Sequence, residues 1–111
     1  MEYVLLLVGD EAAYDALDEE AGKALYAQHE AFMGEARAAG LAIPYSAELE
    51  WSGKARTVAP DGSVTDGPYA ETKEQLGGFY VIEVDTMEEA VRWAAKIPML
   101  PGDRVEVRPG K

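Results

Sequence analysis

Two segments of the chain are apolar at nearly every position. One runs from Tyr3 to Val8 and the other from Phe79 to Val84, and both are rich in branched or aromatic side chains. A strand with one face in water would instead alternate apolar and polar residues. We therefore expect both segments to be strands in the middle of a sheet, with side chains buried on both faces.

Two longer segments carry the helical pattern. A helix is predicted from about Asp18 to Ala39, because Asp18 can cap it, acids fill its first turn and Gly40 follows its end. A second helix is predicted from Thr86 to about Ile97, where Thr86 and Glu89 have the spacing of a capping box. Each helix has one apolar side, so each should pack against the sheet.

The remaining strands show weaker signals. Residues 43–51 alternate apolar and polar, and Pro44 favours an edge strand. Residues 55–65 resemble a hairpin around the turn 60–63, and residues 104–108 form the last predicted strand. For residues 66–78 the pattern predicts a tight turn and then a short helix that one of the two following glycines ends.

This order of elements indicates a single α+β domain over residues 1–111 with ferredoxin-like topology. The antiparallel sheet would carry two main helices on one face, with the two apolar segments as its central strands. Two helices can cover only one face, and each large side chain left in water loses roughly 1.5–3 kcal/mol of stabilisation. A twofold copy of the same sheet would cover the other face, so we expect a homodimer that forms an α+β barrel.

Composition narrows the possible partners. The chain has no cysteine, which fits a reducing compartment, and its formal net charge of -11 opposes binding to nucleic acid or anionic membranes. The apolar start is too short for a membrane span and lacks the basic residues of a signal peptide. These features predict a cytoplasmic protein without nucleic acid or membrane partners.

His29 is the only histidine, and it lies on the apolar side of the first predicted helix, one turn from Tyr26. An imidazole there is a candidate general base, or a ligand contact together with Tyr26. The alternative is a structural histidine that bonds a backbone carbonyl or an acid. A single histidine without cysteine argues against a zinc site, although carboxylates could hold a hard cation. No cofactor fingerprint is present, so we expect neither metal nor cofactor.

A second group of polar residues surrounds the turn at Gly67-Pro68. Asp66 is the candidate catalytic partner of His29, and Tyr69, Glu71 and Lys73 are candidate ligand contacts. The structural alternative is that Asp66 only caps a helix and that the other charged residues form a solvated surface.

The run DGPYAETKEQLGGFY, residues 66–80, resembles the YCII-related, or DGPF-domain, family of small bacterial proteins. Residues 1–7, 37–40 and 105–109 are similar too, while Tyr69 replaces the phenylalanine of the name-giving motif. The resemblance implies a dimeric α+β barrel of ferredoxin-like protomers. It also implies an association of some members with extracytoplasmic-function sigma factors, and an enzymatic role for a histidine and an aspartate, here Asp66 and, less directly, His29.

Three functions stay open at this point. The chain is either a ligand-binding module, with a regulatory role linked to a sigma factor, or a small-molecule enzyme using His29 and Asp66, or a purely structural dimer. No arrangement of residues compels catalysis, so ligand binding is the preferred hypothesis.

Overall fold

A computed structural model describes all residues from Met1 to Lys111. It contains a four-stranded antiparallel sheet of order β2-β5-β1-β6, a separate hairpin and three helices. The elements are listed in chain order: β1 Glu2–Asp10, α1 Glu11–Asp15, α2 Glu19–Ala38, β2 Ala42–Glu48, β3 Arg56–Val58, β4 Val64–Asp66, β5 Glu74–Glu83, α3 Met87–Ala94 and β6 Arg104–Pro109. The predicted α+β class and ferredoxin-like arrangement are confirmed.

The sheet places the two apolar segments where the sequence predicted them. β1 and β5 form the central pair, and β2 is an edge strand whose register shifts between Ala42 and Tyr45, around Pro44. A proline lacks the N–H that a hydrogen bond between strands requires, and an edge strand can tolerate the loss of such a bond.

The two main helices begin at the predicted caps and cover one face of the sheet. The Asp18 side chain accepts a hydrogen bond from the backbone of Ala21 at 2.7 Å, and Thr86 accepts one from Glu89 at 3.2 Å. Gly40 follows α2 with φ +77°, a conformation that glycine adopts without strain. One buried cluster joins the helices to the central strands: Tyr3, Leu5, Phe32, Tyr80, Ile82, Val84, Ala90, Ala94 and Ile97.

The other face of the sheet is covered by no helix. It presents Val4, Leu6, Phe79 and Val81, each only partly buried, and exposed Tyr45, whose ring centroid lies 5.8 Å from that of Phe79. We call these five residues the free face. A single chain therefore forms an open sheet, and a barrel of the predicted kind requires a second chain.

Residues 55–73 form an arm beside the main sheet. It consists of the two-stranded hairpin β3–β4 and the loop that follows, joined by hydrogen bonds from Gly67 N to Ala55 O at 2.7 Å and from Thr57 Oγ1 to Gly67 O at 2.9 Å. The radius of gyration is 15.4 Å. A compact chain of this length would have about 13 Å, which fits an arm that extends from the body.

The prediction of a short helix within residues 66–78 is wrong. Strand β5 already begins at Glu74, and residues 67–73 form a loop. Gln75 Nε2 donates to the carbonyls of Ala70 and Thr72 at 2.8 and 3.0 Å, which holds the loop against the strand. Pairing of Gln75 and Leu76 with β1 supplies the backbone hydrogen bonds that a helix would have supplied locally.

Three other elements differ from the predictions. The strand predicted to Trp51 ends at Glu48, the helix predicted to Ile97 ends at Ala94, and helix α1 was not predicted. Asp10 caps α1 by accepting from Ala12 N at 3.0 Å. None of the helices combines the length and the hydropathy needed to cross a membrane.

Candidate functional site

A cleft of about 590 Å³ opens between the sheet and helices α1 and α2. Its walls also include the chain after β2 and the segment that leads into β6. This volume lies in the range of sites that hold small organic molecules. The cleft is lined by these residues with polar, charged or aromatic side chains, and by Gly9: Gly9, Glu11, Tyr14, Tyr26, His29, Glu30, Glu48, Glu50, Trp51, Tyr80, Asp103 and Arg104.

His29 projects from the middle of α2 onto β5. A hydrogen bond of 3.0 Å joins its Nδ1 to the hydroxyl of Tyr80, and the two rings lie nearly parallel, at 17°. Phe32, one turn later on the helix, packs edge-on against Tyr80 with ring centroids 5.2 Å apart. The buried tyrosine therefore fixes the imidazole, whose Nε2 makes no hydrogen bond with the protein.

The surroundings favour the uncharged forms of both rings. Burial lowers the pKa of His29 below its usual value, while the nearby Glu48 carboxylate acts in the opposite direction. Burial, followed by the negative charges of Glu30 and Glu48, raises the pKa of Tyr80. At neutral pH the pair is a neutral imidazole and a phenol, and it can donate or accept hydrogen bonds at the cleft wall.

A second polar pair, Tyr14 and Asp103, lines the same cleft. The Tyr14 hydroxyl donates to Oδ2 of Asp103, and the backbone N–H of Leu100 donates to the same oxygen at 2.9 Å. Burial, together with the hydrogen bond and the charge of Asp103, raises the pKa of Tyr14, which keeps the phenol protonated. Asp103 itself is only 8% exposed.

Gly9 makes room for this carboxylate. A Cβ at Gly9 would overlap Oδ1 of Asp103 and would lie 3.0 Å from its Cγ. The glycine stands near the end of β1, just beyond the register shift between Leu7 and Val8. A bulge of this kind redirects the strand, and here it accompanies the close approach of the carboxylate.

Glu11 joins α1 to the chain that follows β2. Its two carboxylate oxygens accept hydrogen bonds of 2.6 Å from the backbone N–H and the hydroxyl of Ser52. This clamp holds Trp51, the residue before Ser52, at the cleft wall.

The lining is strongly acidic. Glu11, Glu30, Glu48, Glu50 and Asp103 contribute carboxylates, whereas Arg104 is the one lysine or arginine in the lining. Its Nη1 donates to the backbone carbonyl of Asp103 at 2.7 Å. No three His, Asp or Glu side chains converge closely enough to hold a metal ion.

The structure separates the candidate residues named from the sequence into two groups. His29 and Tyr26 both line the cleft, with Tyr26 65% exposed. Asp66 lies in the arm, where its 94% exposed side chain is 3.6 Å from Arg56, so one chain does not bring it to His29.

The other arm residues also lie outside the cleft. Tyr69 is 94% exposed, Glu71 is exposed, and Lys73 Nζ lies 3.8 Å from Asp10. Their contacts with a ligand stay predictions.

Three further residues that line the cleft with His29 were not predicted from the sequence. Tyr80 was recognised only as a strand residue, and neither Tyr14 nor Asp103 was singled out. Tyr14 and Asp103 are 89 positions apart in the chain, and their contact depends on how α1 and β6 meet around β1. The period-two pattern of β5 contains the one available signal, because it places Tyr80 on the helix-covered face.

Comparison with known proteins agrees with the sequence resemblance. Residues 1–109 match the YCII-related domain. An uncharacterized protein of Rhizobium meliloti (strain 1021) is 33% identical over 96 residues, which cover 85% of this chain and 77% of that protein. The chain therefore belongs to the YCII-related domain family.

Proposed function

We propose that this chain is a homodimeric domain that binds a small organic molecule in the cleft beside His29. The observation that carries the proposal is the cleft of about 590 Å³ with the hydrogen-bonded pair His29 and Tyr80 in its wall. Apolar walls with a few fixed polar groups are the usual construction of a ligand site.

Two polar groups of the cleft, His29 and Glu11, are held in place before any ligand arrives. Tyr80 orients His29, and Ser52 fixes Glu11 through two hydrogen bonds of 2.6 Å. Preorganised groups lose little conformational entropy on binding, which increases affinity. This supports a binding role more than a purely structural one.

The free face supports the homodimer. Val4, Leu6, Phe79 and Val81 form an apolar strip on the two central strands, and β6 borders it with Glu106 and Arg108, which form an ion pair. A surface with an apolar centre and charges of both signs at its rim can be self-complementary, as a twofold contact requires. A second copy of this chain is the proposed occupant.

A ligand-binding dimer also fits a regulatory role linked to a sigma factor, since binding energy can bias the state of an attached partner. That link rests on the family resemblance alone. Asp66, Tyr69, Glu71 and Lys73 are assigned no contact with a ligand bound to their own chain.

A small-molecule enzyme is the second candidate, and one observation favours it. The neutral His29, hydrogen-bonded to Tyr80 and lining a cleft, has the properties of a general base near neutral pH. Turnover of the bound compound would distinguish an enzyme from a protein that only binds its ligand. Loss of turnover but not of binding in His29→Gln would identify the protein as an enzyme.

The test of binding uses two glycines of α2. A Cβ at Gly22 or at Gly34 meets no atom within 4 Å, but only Gly22 lines the cleft. Melting temperatures are measured with a metabolite panel for wild type, Gly22→Trp and Gly34→Trp. The proposal predicts that at least one compound raises the melting temperature of wild type and Gly34→Trp but not of Gly22→Trp.

Two results would contradict the proposal. One is a panel that leaves the melting temperature of wild type unchanged at millimolar concentration. The other is a compound that stabilises both tryptophan variants equally, which would place its site outside the cleft.

A further inference from the structure

Asp103 lines the cleft and is hydrogen-bonded to Tyr14. We propose that Asp103 binds a positively charged amine and that the cleft therefore accepts an organic cation with an apolar or aromatic body. This inference rests on the proposed ligand-binding function and adds the chemical class of the ligand.

One oxygen of the Asp103 carboxylate accepts hydrogen bonds from the protein, and the other accepts none. Both of its hydrogen bonds, from the Tyr14 hydroxyl and the Leu100 N–H, reach Oδ2. Oδ1 lies over Gly9 and accepts no hydrogen bond from the protein, although the residue is more than nine-tenths buried. Oδ1 is not fully buried, because no fully buried side-chain oxygen lacks a hydrogen-bond partner, and a charged donor on a ligand would bond it.

The position of the Asp103 carboxylate is fixed by its surroundings. Tyr14 holds the carboxylate from α1, and Gly9 leaves the space in which Oδ1 lies. Tyr14 is thus a positioning residue, and Asp103 is the group that would touch the ligand.

The charge around Asp103 selects a cation. Four glutamates line the same cleft, and the single arginine is directed to a backbone carbonyl of Asp103. Clefts lined by one sign of charge concentrate ligands of the opposite sign. A carboxylate or phosphate ligand would be repelled, and a bare metal ion would find no convergent set of ligands.

The remaining walls suit an apolar body joined to the amine. Trp51 and Tyr26 line the cleft together with aliphatic residues. Aromatic faces attract cations and also pack against flat rings. An aromatic amine therefore has both features that complement the cleft, a positive charge and a flat apolar ring.

Three probes with the same ring separate charge from shape: tryptamine, the neutral alcohol tryptophol, and the anion indole-3-acetate. Their dissociation constants are measured by titration calorimetry with wild type, Asp103→Asn, Tyr14→Phe and Asp15→Asn. Asp15 is an exposed acid at the end of α1 and lies outside the cleft, so it is the matched control.

The inference predicts that tryptamine binds wild type and Asp15→Asn at least tenfold more tightly than the other two probes. Asp103→Asn should lose that tenfold preference, and Tyr14→Phe should weaken tryptamine selectively because the carboxylate is no longer held. Circular dichroism and melting temperatures establish that each variant is folded. If Asp103→Asn fails to fold, Tyr14→Phe alone decides the outcome.

Equal binding of the three probes, or a preference that survives in Asp103→Asn, would overturn the assignment of a cation to Asp103. So would the absence of tryptamine binding at millimolar concentration. In each case the metabolite panel with Gly22→Trp and Gly34→Trp still reports separately on whether the cleft binds any ligand.

Discussion

The substitution Leu6→Asp is expected to dissociate the proposed homodimer. Leu6 lies on the free face of β1, where its register partners are Phe79 on one side and Glu106 on the other. In a single chain an aspartate there can remain hydrated. In a twofold sheet-to-sheet dimer it would be buried twice, once from each copy.

The magnitude follows from that symmetry. Burying an unpaired carboxylate costs at least about 3 kcal/mol, so two copies cost about 6 kcal/mol. Every 1.4 kcal/mol changes a dissociation constant tenfold, which makes the dimer weaker by roughly four powers of ten. Leu6→Ala should have a smaller effect, about tenfold to a hundredfold, because each copy loses only about 1 kcal/mol of further apolar burial.

Sedimentation equilibrium at micromolar concentration measures the effect directly. Wild type should have twice the mass of the 12.0 kDa chain, and Leu6→Asp should have the mass of one chain. Val64→Asp, which adds the same charge to the exposed hairpin, is the control and should stay dimeric. A folded Leu6→Asp chain that still sediments as a dimer would refute the proposal that the free face is the interface.

Three further predictions concern the site and α2. Gly9→Ala should lower the free energy of unfolding by about 1–3 kcal/mol, because the added methyl group overlaps Oδ1 of Asp103; urea denaturation checks this, and an Asp103→Ala background should remove most of the loss. Gly34→Ala should instead stabilise the chain by up to about 1 kcal/mol in the same assay, since its Cβ enters open space in a helix, and a destabilised variant would contradict the helix geometry. The folded state lowers the pKa of His29 below 6.5, so the unfolded state binds more protons and stability should decrease as the pH falls below that value. Between pH 8 and pH 5, the free energy of unfolding measured by denaturation should decrease less for His29→Gln than for wild type. Equal pH dependences of the two proteins would show that His29 does not titrate in this way.

Much of the fold could be predicted because its signals are local. The continuous apolar runs identified β1 and β5, and the caps Asp18 and Thr86 marked where α2 and α3 begin. Each of these features depends on residues within a few positions of one another, so the printed sequence is sufficient.

The errors arose where distant pairing decides the structure. Gln75 and Leu76 follow charged residues that favour a helix, but pairing with β1 extends the strand through them instead. Helix α1 has only five residues, too few to show a helical period.

The candidate site could be predicted only in part for the same reason. His29 and Tyr26 were found because a lone histidine on an apolar helix side is conspicuous. The pair of Tyr14 with Asp103 depends on a contact across 89 positions, which no local spacing reveals.

The proposed function requires that the cleft beside His29 holds a small organic molecule. Amide NMR spectra recorded during titration with the most stabilising compound of the panel test it most directly. A compound bound in the cleft should cause saturable shifts centred on His29, Gly78 and Asp103, which line the cleft. Shifts centred on the arm, residues 55–73, with the cleft resonances unchanged would contradict it.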